Sequence, residues 1–261
     1  MLNTEDIRAI WIASAPRTGS MWTFNVVRDL VRLTGRPVLP EIVPHDDAEM
    51  EQLGHAGIAA NDGTYVLKVH TRLPVNLPHS FYVVTHRQIR DSIVSFMRFT
   101  HADFEAGLRF AAGAIRLEQH FAGFPTGRAL QIAYRDIVGQ PEAVVRALAK
   151  ALAVELGDGD TEGIVARYAK DKVQARLVAR EQELRQQIGA GQAVDVRAFV
   201  PMGDASLRAF DMTTGFQSGH VSAYREGDWR TILTREQQAA IAALIADARS
   251  HGFVVDDDEV P

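Results

Sequence analysis

The chain has 261 residues, of which 46% are hydrophobic and 23% charged, and this excludes whole-chain disorder, collagen and low-complexity architectures. Its 33 acidic and 28 basic residues leave a net charge of −5, so it lacks the basic excess of a general nucleic-acid binder while still allowing one local basic pocket for a small anion. Cysteine is absent, which removes disulfides, thiolate catalysis and cysteine-held metal, and fits a reducing compartment.

No run reaches the roughly 18 apolar residues of a spanning helix. The first fifteen residues place acids ahead of a short apolar stretch, without the basic start of a signal peptide. The expectation is a cytoplasmic chain with no membrane contact and no nucleic-acid partner. At about 150 residues per domain, 1–261 reads as a single α/β domain.

Ile7 to Ala13 (IRAIWIA) is a short β-branched run, read as a buried strand. It enters a turn at Ser14–Ser20, and Trp22 to Leu33 then carries apolar residues at helical spacing. The chain thus opens as strand, Gly-containing loop, helix. A short helix is expected near Asp46 to Leu53, then strands at Thr64–Val69 (TYVLKV) and Ser80–Thr85 (SFYVVT). Helices follow at about Ile89–Phe99 and Phe104–Phe121, a strand at Ala129–Ala133, and a Pro-led helix at Pro141–Leu152. Residues 161–187 read as one long polar helix, and Thr234–Ser250 as a strongly capped terminal one. Residues 189–219 are rich in Gly, Ala, Asp and Ser with no period, the composition of a flexible lid or a disordered stretch. The acidic tail, 254–261, is expected to be disordered. Strands alternating with helices predict a three-layer α/β/α fold with a central, mainly parallel sheet and a P-loop-like phosphate-binding strand-loop-helix.

Three clusters carry chemistry. The loop Pro16-Arg17-Thr18-Gly19-Ser20 lies where unpaired helix N–H groups attract a phosphate. Gly19 allows close approach, Ser20 adds a hydroxyl, and Arg17 adds a permanent charge. It is not the G-x-x-x-x-G-K-[ST] loop of NTPases, because Ser20 follows the glycine, and a plain βα turn is the bland reading. Next, Arg87, Asp91 and Ser95 are spaced four apart across a strand end and a helix, so Arg87 and Ser95 can share an anion on one face. Asp91 there also reads as an ordinary helix-start charge. Finally, Lys68 and His70 share a face where a strand ends, the place where open parallel sheets bind ligands. A histidine beside a cation there suits proton abstraction, although strand-end histidines are often structural. No H-x-x-x-H pair points to a metal.

These residues together resemble the PAPS-dependent sulfotransferase family (PAPS is 3′-phosphoadenosine-5′-phosphosulfate). The family's P-K-S-G-T-T-W loop is matched by Pro16-Arg17-Thr18-Gly19-Ser20-Met21-Trp22 and its K-T-H by Lys68-Val69-His70. Its R-x-x-x-D-x-x-x-S is matched by Arg87, Asp91 and Ser95, and its Tyr-Glu-Asp by Tyr134-Arg135-Asp136. Its late R-K-G…G-D-W resembles Arg225-Glu226-Gly227-Asp228-Trp229. The resemblance implies that Arg17, Thr18, Gly19, Ser20, Met21 and Trp22 hold the 5′-phosphosulfate end. It implies that Arg87 and Ser95 bind the 3′-phosphate, that Trp22 and Tyr134 contact adenine, and that Arg225 and Gly227 close from the C-terminal side. Catalysis would fall to His70 as general base, with Arg17 and Lys68 stabilising the transferring group. The donor would be PAPS, the product 3′-phosphoadenosine-5′-phosphate (PAP), the acceptor a small-molecule hydroxyl, phenol or amine, and no metal would be needed. A homodimer is permitted.

The sequence departs from the family at Arg17, Met21 and Glu226, which replace a lysine, a hydroxyl residue and a basic residue. The late segment is also shortened, leaving His220, Ser222 or Tyr224 as alternative contacts. Two other functions stay open: an ATP-dependent small-molecule kinase, and a catalytically inactive nucleotide-binding protein. Phe96, Phe99, Phe104, Phe110 and Phe121 read as core, with an apolar acceptor pocket as the alternative.

Overall fold

The computed structural model describes residues 6–201, 207–221 and 225–255. Five strands, β1 (Ala9–Ala13), β2 (Val38–Leu39), β3 (Thr64–Val69), β4 (Ser80–His86) and β5 (Ala129–Ala133), form one sheet in the order β2-β3-β1-β4-β5. All four pairings are parallel. Every residue of β1 is buried, so both faces of the sheet are covered, which is why this strand has no polar alternation. The expected three-layer α/β/α fold is the observed one.

Helix α1 (Ser20–Leu33) packs across β1, β3 and β4, and α2 (Asp47–Ala60) across β3 and β1. α2 lies close to the sheet at Gly54, where a Cβ would collide with the Trp11 ring and with Leu67. Trp11 is fully buried and donates its Nε1 hydrogen to Ser80 Oγ at 3.1 Å. Helices α3 (Ile89–Thr100) and α4 (Phe104–Ala122) form a second core with the late helices α9 (Trp229–Ile232) and α10 (Arg235–Ser250). The capping box of α10, Thr234 with Gln237, is as the sequence predicts.

After β5 come α5 (Tyr134–Gly139) and α6 (Pro141–Ala151). The long polar helix expected over 161–187 is instead two, α7 (Asp160–Arg167) and α8 (Lys170–Gly189). Tyr168 is buried and hydrogen-bonds the Asp29 carboxylate, and Ala169 turns to an extended conformation, so the helix breaks where the chain is anchored. Within 189–219, β6 (Phe199–Pro201) and β7 (Leu207–Ala209) pair antiparallel, and residues 202–206 lie outside the described ones. Of the tail, Val255 is buried in the second core, and residues 256–261, which include the acids 256–259, lie outside the described ones.

The chain runs from β1 to one side of the sheet and from β4 to the other. The carboxyl ends of β1, β3, β4 and β5 therefore surround a switch point, the place where such sheets take ligands.

Candidate active site

Parallel register fixes the site. Ala13 pairs with Val69, so Ser14 and His70 leave the sheet side by side. His86 pairs with Ala133, so Arg87 and Tyr134 do the same. The Arg87 guanidinium lies over the Tyr134 ring, 3.9 Å from its centre. One of its nitrogens donates to the Arg17 carbonyl at 3.2 Å. Arg17 Nε donates to Ser95 Oγ at 3.1 Å. Arg17 and the Arg87–Ser95 stretch, some 70 residues apart in sequence, therefore form one cluster.

The loop itself is held by left-handed residues at Arg17 (φ 72°) and Gly19 (φ 89°). A Cβ on Gly19 would sit 2.7 Å from Ile137 Cδ1 and 3.1 Å from the Tyr134 ring, so only glycine lets α5 approach the turn. Thr18 is buried; its hydroxyl bonds the Ala15 carbonyl at 2.8 Å and meets Thr85 Oγ1 at 2.7 Å. Its side chain thus braces the loop from inside. Ser20 opens α1. Trp22 is half-buried against the main core.

At the other end of the site, His70 Nδ1 lies 2.8 Å from the Ser14 carbonyl. A carbonyl only accepts, so Nδ1 carries the hydrogen and Nε2 holds the lone pair. Lys68 Nζ donates to that lone pair at 3.0 Å. The backbone N–H of His70 donates to Asp47 Oδ2 at 2.9 Å, which ties the strand end to the start of α2. Burial, aided by the Lys68 charge, pushes the His70 pKa down from 6.5 to about 3. Burial likewise lowers Lys68, against the pull of Asp47. Arg17 is lowered to about 10 through burial and the charges of Arg87 and Arg208, and it stays cationic at neutral pH. The ring is thus a neutral imidazole with its Nε2 lone pair beside a cation.

Beside Arg87 and Tyr134 opens a cleft of about 220 Å³, lined also by Gln88, Asp91, Arg135, Glu226, Gly227 and Arg230. The Gly227 N–H donates to both Asp91 oxygens, at 3.0 and 3.3 Å, so the late segment is docked on α3. Arg225 is exposed, donates its N–H to Asp228 Oδ2 at 2.9 Å and does not line the cleft.

Residues 66–158 match the family model described as Sulfotransferase family. No curated protein matches the chain. Its fold is similar to that of retinol dehydratase in complex with androsterone and inactive cofactor PAP, with a TM-score of 0.57 and 15% identity over 95% of this chain and 81% of that one. It is also similar to mouse sulfotransferase SULT7A1 complexed with PAP, with a TM-score of 0.55 and 14% identity over 93% of this chain and 84% of that one. The chain has the sulfotransferase fold. The resemblance read in the sequence motifs holds for the segment and for the architecture.

Within this sulfotransferase fold, three features escape motif reading. The Met21 thioether packs under the turn at Gly215, where an added Cβ would lie 3.1 Å from it. Asn25 locks the same turn by donating to the Thr214 carbonyl at 2.8 Å. Asp47, unremarkable in sequence, holds the His70 backbone. His220 lies beside Arg17, its carbonyl accepting from the guanidinium at 3.4 Å and its ring stacked on Phe99 at 5.2 Å. Ser222 and Tyr224 lie outside the described residues. Among the phenylalanines, Phe121 is fully buried and Phe96 stacks on Phe110, while Phe99 faces Arg17 across 4.2 Å. Among the described residues no cluster of metal-binding side chains occurs, and no helix is long and apolar enough to cross a membrane.

Proposed function

We propose that this protein transfers a sulfuryl group from PAPS to the hydroxyl of a small molecule. The observation that carries this reading is the pairing of two sites at one sheet edge. One is a neutral histidine with its Nε2 lone pair beside Lys68; the other is a cluster of Arg17, Arg87 and Ser95 suited to a second phosphate. An ATP site needs no such second anion pocket. The cleft is consistent with the nucleotide, since an arginine laid on a tyrosine ring can meet both phosphate and base. Of the proteins of like fold, retinol dehydratase is bound to PAP with androsterone or with retinol, and SULT7A1 is bound to PAP.

PAPS supplies a sulfuryl group on a phosphate leaving group. The residues of this chain would do the rest. Backbone N–H groups at the start of α1 receive the 5′-phosphate. Arg87 and Ser95 hold the 3′-phosphate, and Tyr134 the adenine. Lys68 leaves His70 and turns its charge to the oxygen that departs, which frees Nε2 to take the acceptor proton. Arg17 spans both ends with a permanent charge. Sulfuryl transfer of this kind rests on in-line positioning and charge stabilisation.

Calorimetric titration with PAP, AMP and ATP tests the nucleotide half. PAP is expected to bind at least tenfold more tightly than AMP, and Arg87→Ala to erase the difference. ATP binding as tight as PAP, indifferent to Arg87, would promote the kinase reading.

A further inference from the structure

His220 enters the site from a segment held at many points. Asp211 accepts from the Thr213 N–H at 2.9 Å and from the hydroxyls of Thr213 and Thr214, each at 2.7 Å. The Val43 N–H donates to the Met212 carbonyl at 2.7 Å, and Phe210 bridges to Gln217. The histidine ring is held as well. It stacks within 6° of parallel on Phe99, meets Phe216 edge-on, and its carbonyl accepts from Arg17 at 3.4 Å.

The tautomer follows from one contact. The Gln217 N–H donates to His220 Nδ1 at 3.0 Å, so Nδ1 offers its lone pair and the neutral ring carries its hydrogen on Nε2. Burial, with the charges of Arg17, Lys68 and Arg208, holds the ring well below its ordinary pKa, and His70 acts on it in the same direction. His220 is therefore a fixed neutral donor among cations. Among the described residues, no acceptor meets its Nε2–H. The neighbours that act on it electrostatically are Arg17, Lys68, Arg208 and His70, and each is a cation or a base held by other partners. The group that completes this arrangement is an anionic oxygen.

We propose that His220 is a further catalytic residue, donating its Nε2 hydrogen bond to a nonbridging oxygen of the transferring sulfuryl group. The inference rests on the sulfuryl-transfer reading above. In the step itself, the acceptor oxygen bonds to sulfur as the bond from sulfur to the 5′-phosphate oxygen breaks. The bonding pair leaves with the phosphate oxygen, the acceptor proton passes to His70 Nε2, and the His220 hydrogen stays on its nitrogen. A neutral donor fits this task. It steadies the sulfuryl oxygens and does not compete with His70 for the proton. Fixed donors of this type gain most where charge shifts during reaction.

PAP and PAPS differ only by the sulfuryl group, so their affinities separate this role from a structural one. Both are measured by titration on wild type, His220→Ala and His220→Gln, with thermal unfolding to check folding. In His220→Ala, PAP affinity should stay within about twofold, while PAPS affinity and turnover fall about tenfold to a hundredfold, the worth of one hydrogen bond to a charged oxygen. His220→Gln, which keeps an N–H at a similar reach, should recover most of the loss. Unchanged PAPS affinity and turnover in His220→Ala would overturn the assignment, and so would equal loss of PAP and PAPS. Failure of the wild type to bind PAP would be a different result, and would remove the sulfuryl-transfer reading itself.

Discussion

Lys68 Nζ lies 3.0 Å from His70 Nε2, while Nδ1 of the same ring faces the Ser14 carbonyl at 2.8 Å. The two contacts fix the tautomer, with the hydrogen on Nδ1 and the lone pair on Nε2. The ring is kept neutral by burial first and by the lysine second. A base and a cation two residues apart on one strand face are thus poised together, and each limits the charge of the other.

This arrangement makes the fold acid-sensitive. The folded pKa of His70, about 3, lies below the 6.5 of an unfolded chain, so the unfolded state binds the extra proton first. Its contribution to stability is full above pH 6.5 and is lost as pH falls from there toward 3. The slope is about 1.4 kcal/mol per pH unit for one such group, and His220, lowered in the same direction, adds to it. Urea unfolding between pH 7.5 and 4.5 should show the loss, and His70→Gln should flatten it.

Removing the cation should raise the base. In Lys68→Ala, His70 loses the second cause of its depressed pKa and keeps only burial and Arg17 against it. Its titration, followed by the ring protons in NMR, is expected to move upward toward 6.5. An unmoved titration would mean that the lysine charge is not felt at the ring.

Gly19→Ala should damage both fold and site. The backbone there is left-handed, and the new Cβ would press on Ile137 and Tyr134. A loss of about 1–3 kcal/mol in denaturant unfolding is expected. Nucleotide affinity should fall with it, because Tyr134 carries the Arg87 guanidinium.

Asp91→Ala should release the late segment. Its carboxylate accepts the Gly227 N–H, and that bond crosses 136 residues of sequence. The expected cost is about 1–3 kcal/mol. Trypsin should cut faster after Arg225 and Arg230, both exposed beside that tether. Cleavage at the wild-type rate would show that α9 holds the segment alone.

Much of the fold was legible because its strands are short β-branched runs between turn signals. β3 and β5 begin and end where the sequence places them. β2 has two residues and α5 six, too few to show a period. The merged helix at 161–187 failed for another reason. Its polar period continues through Tyr168, and the break there comes from the tie to Asp29, far away in sequence. The site divides in the same way. Strand-end residues such as His70 and Arg87 were readable because register carries them to one edge. The positions of Asp47, Met21 and His220 were not, since each depends on packing between remote segments; Arg17 and His220 are 203 residues apart.

The most direct test of the account is transfer of labelled sulfate from PAPS into a pool of alcohols and phenols, compared between wild type and His70→Gln. The account predicts label in an organic product with the wild type, and a rate lower by about a hundredfold or more without the base. Transfer undiminished in the variant would contradict the role of His70. Transfer of the terminal phosphate of ATP to the same pool, with none from PAPS, would contradict the function itself.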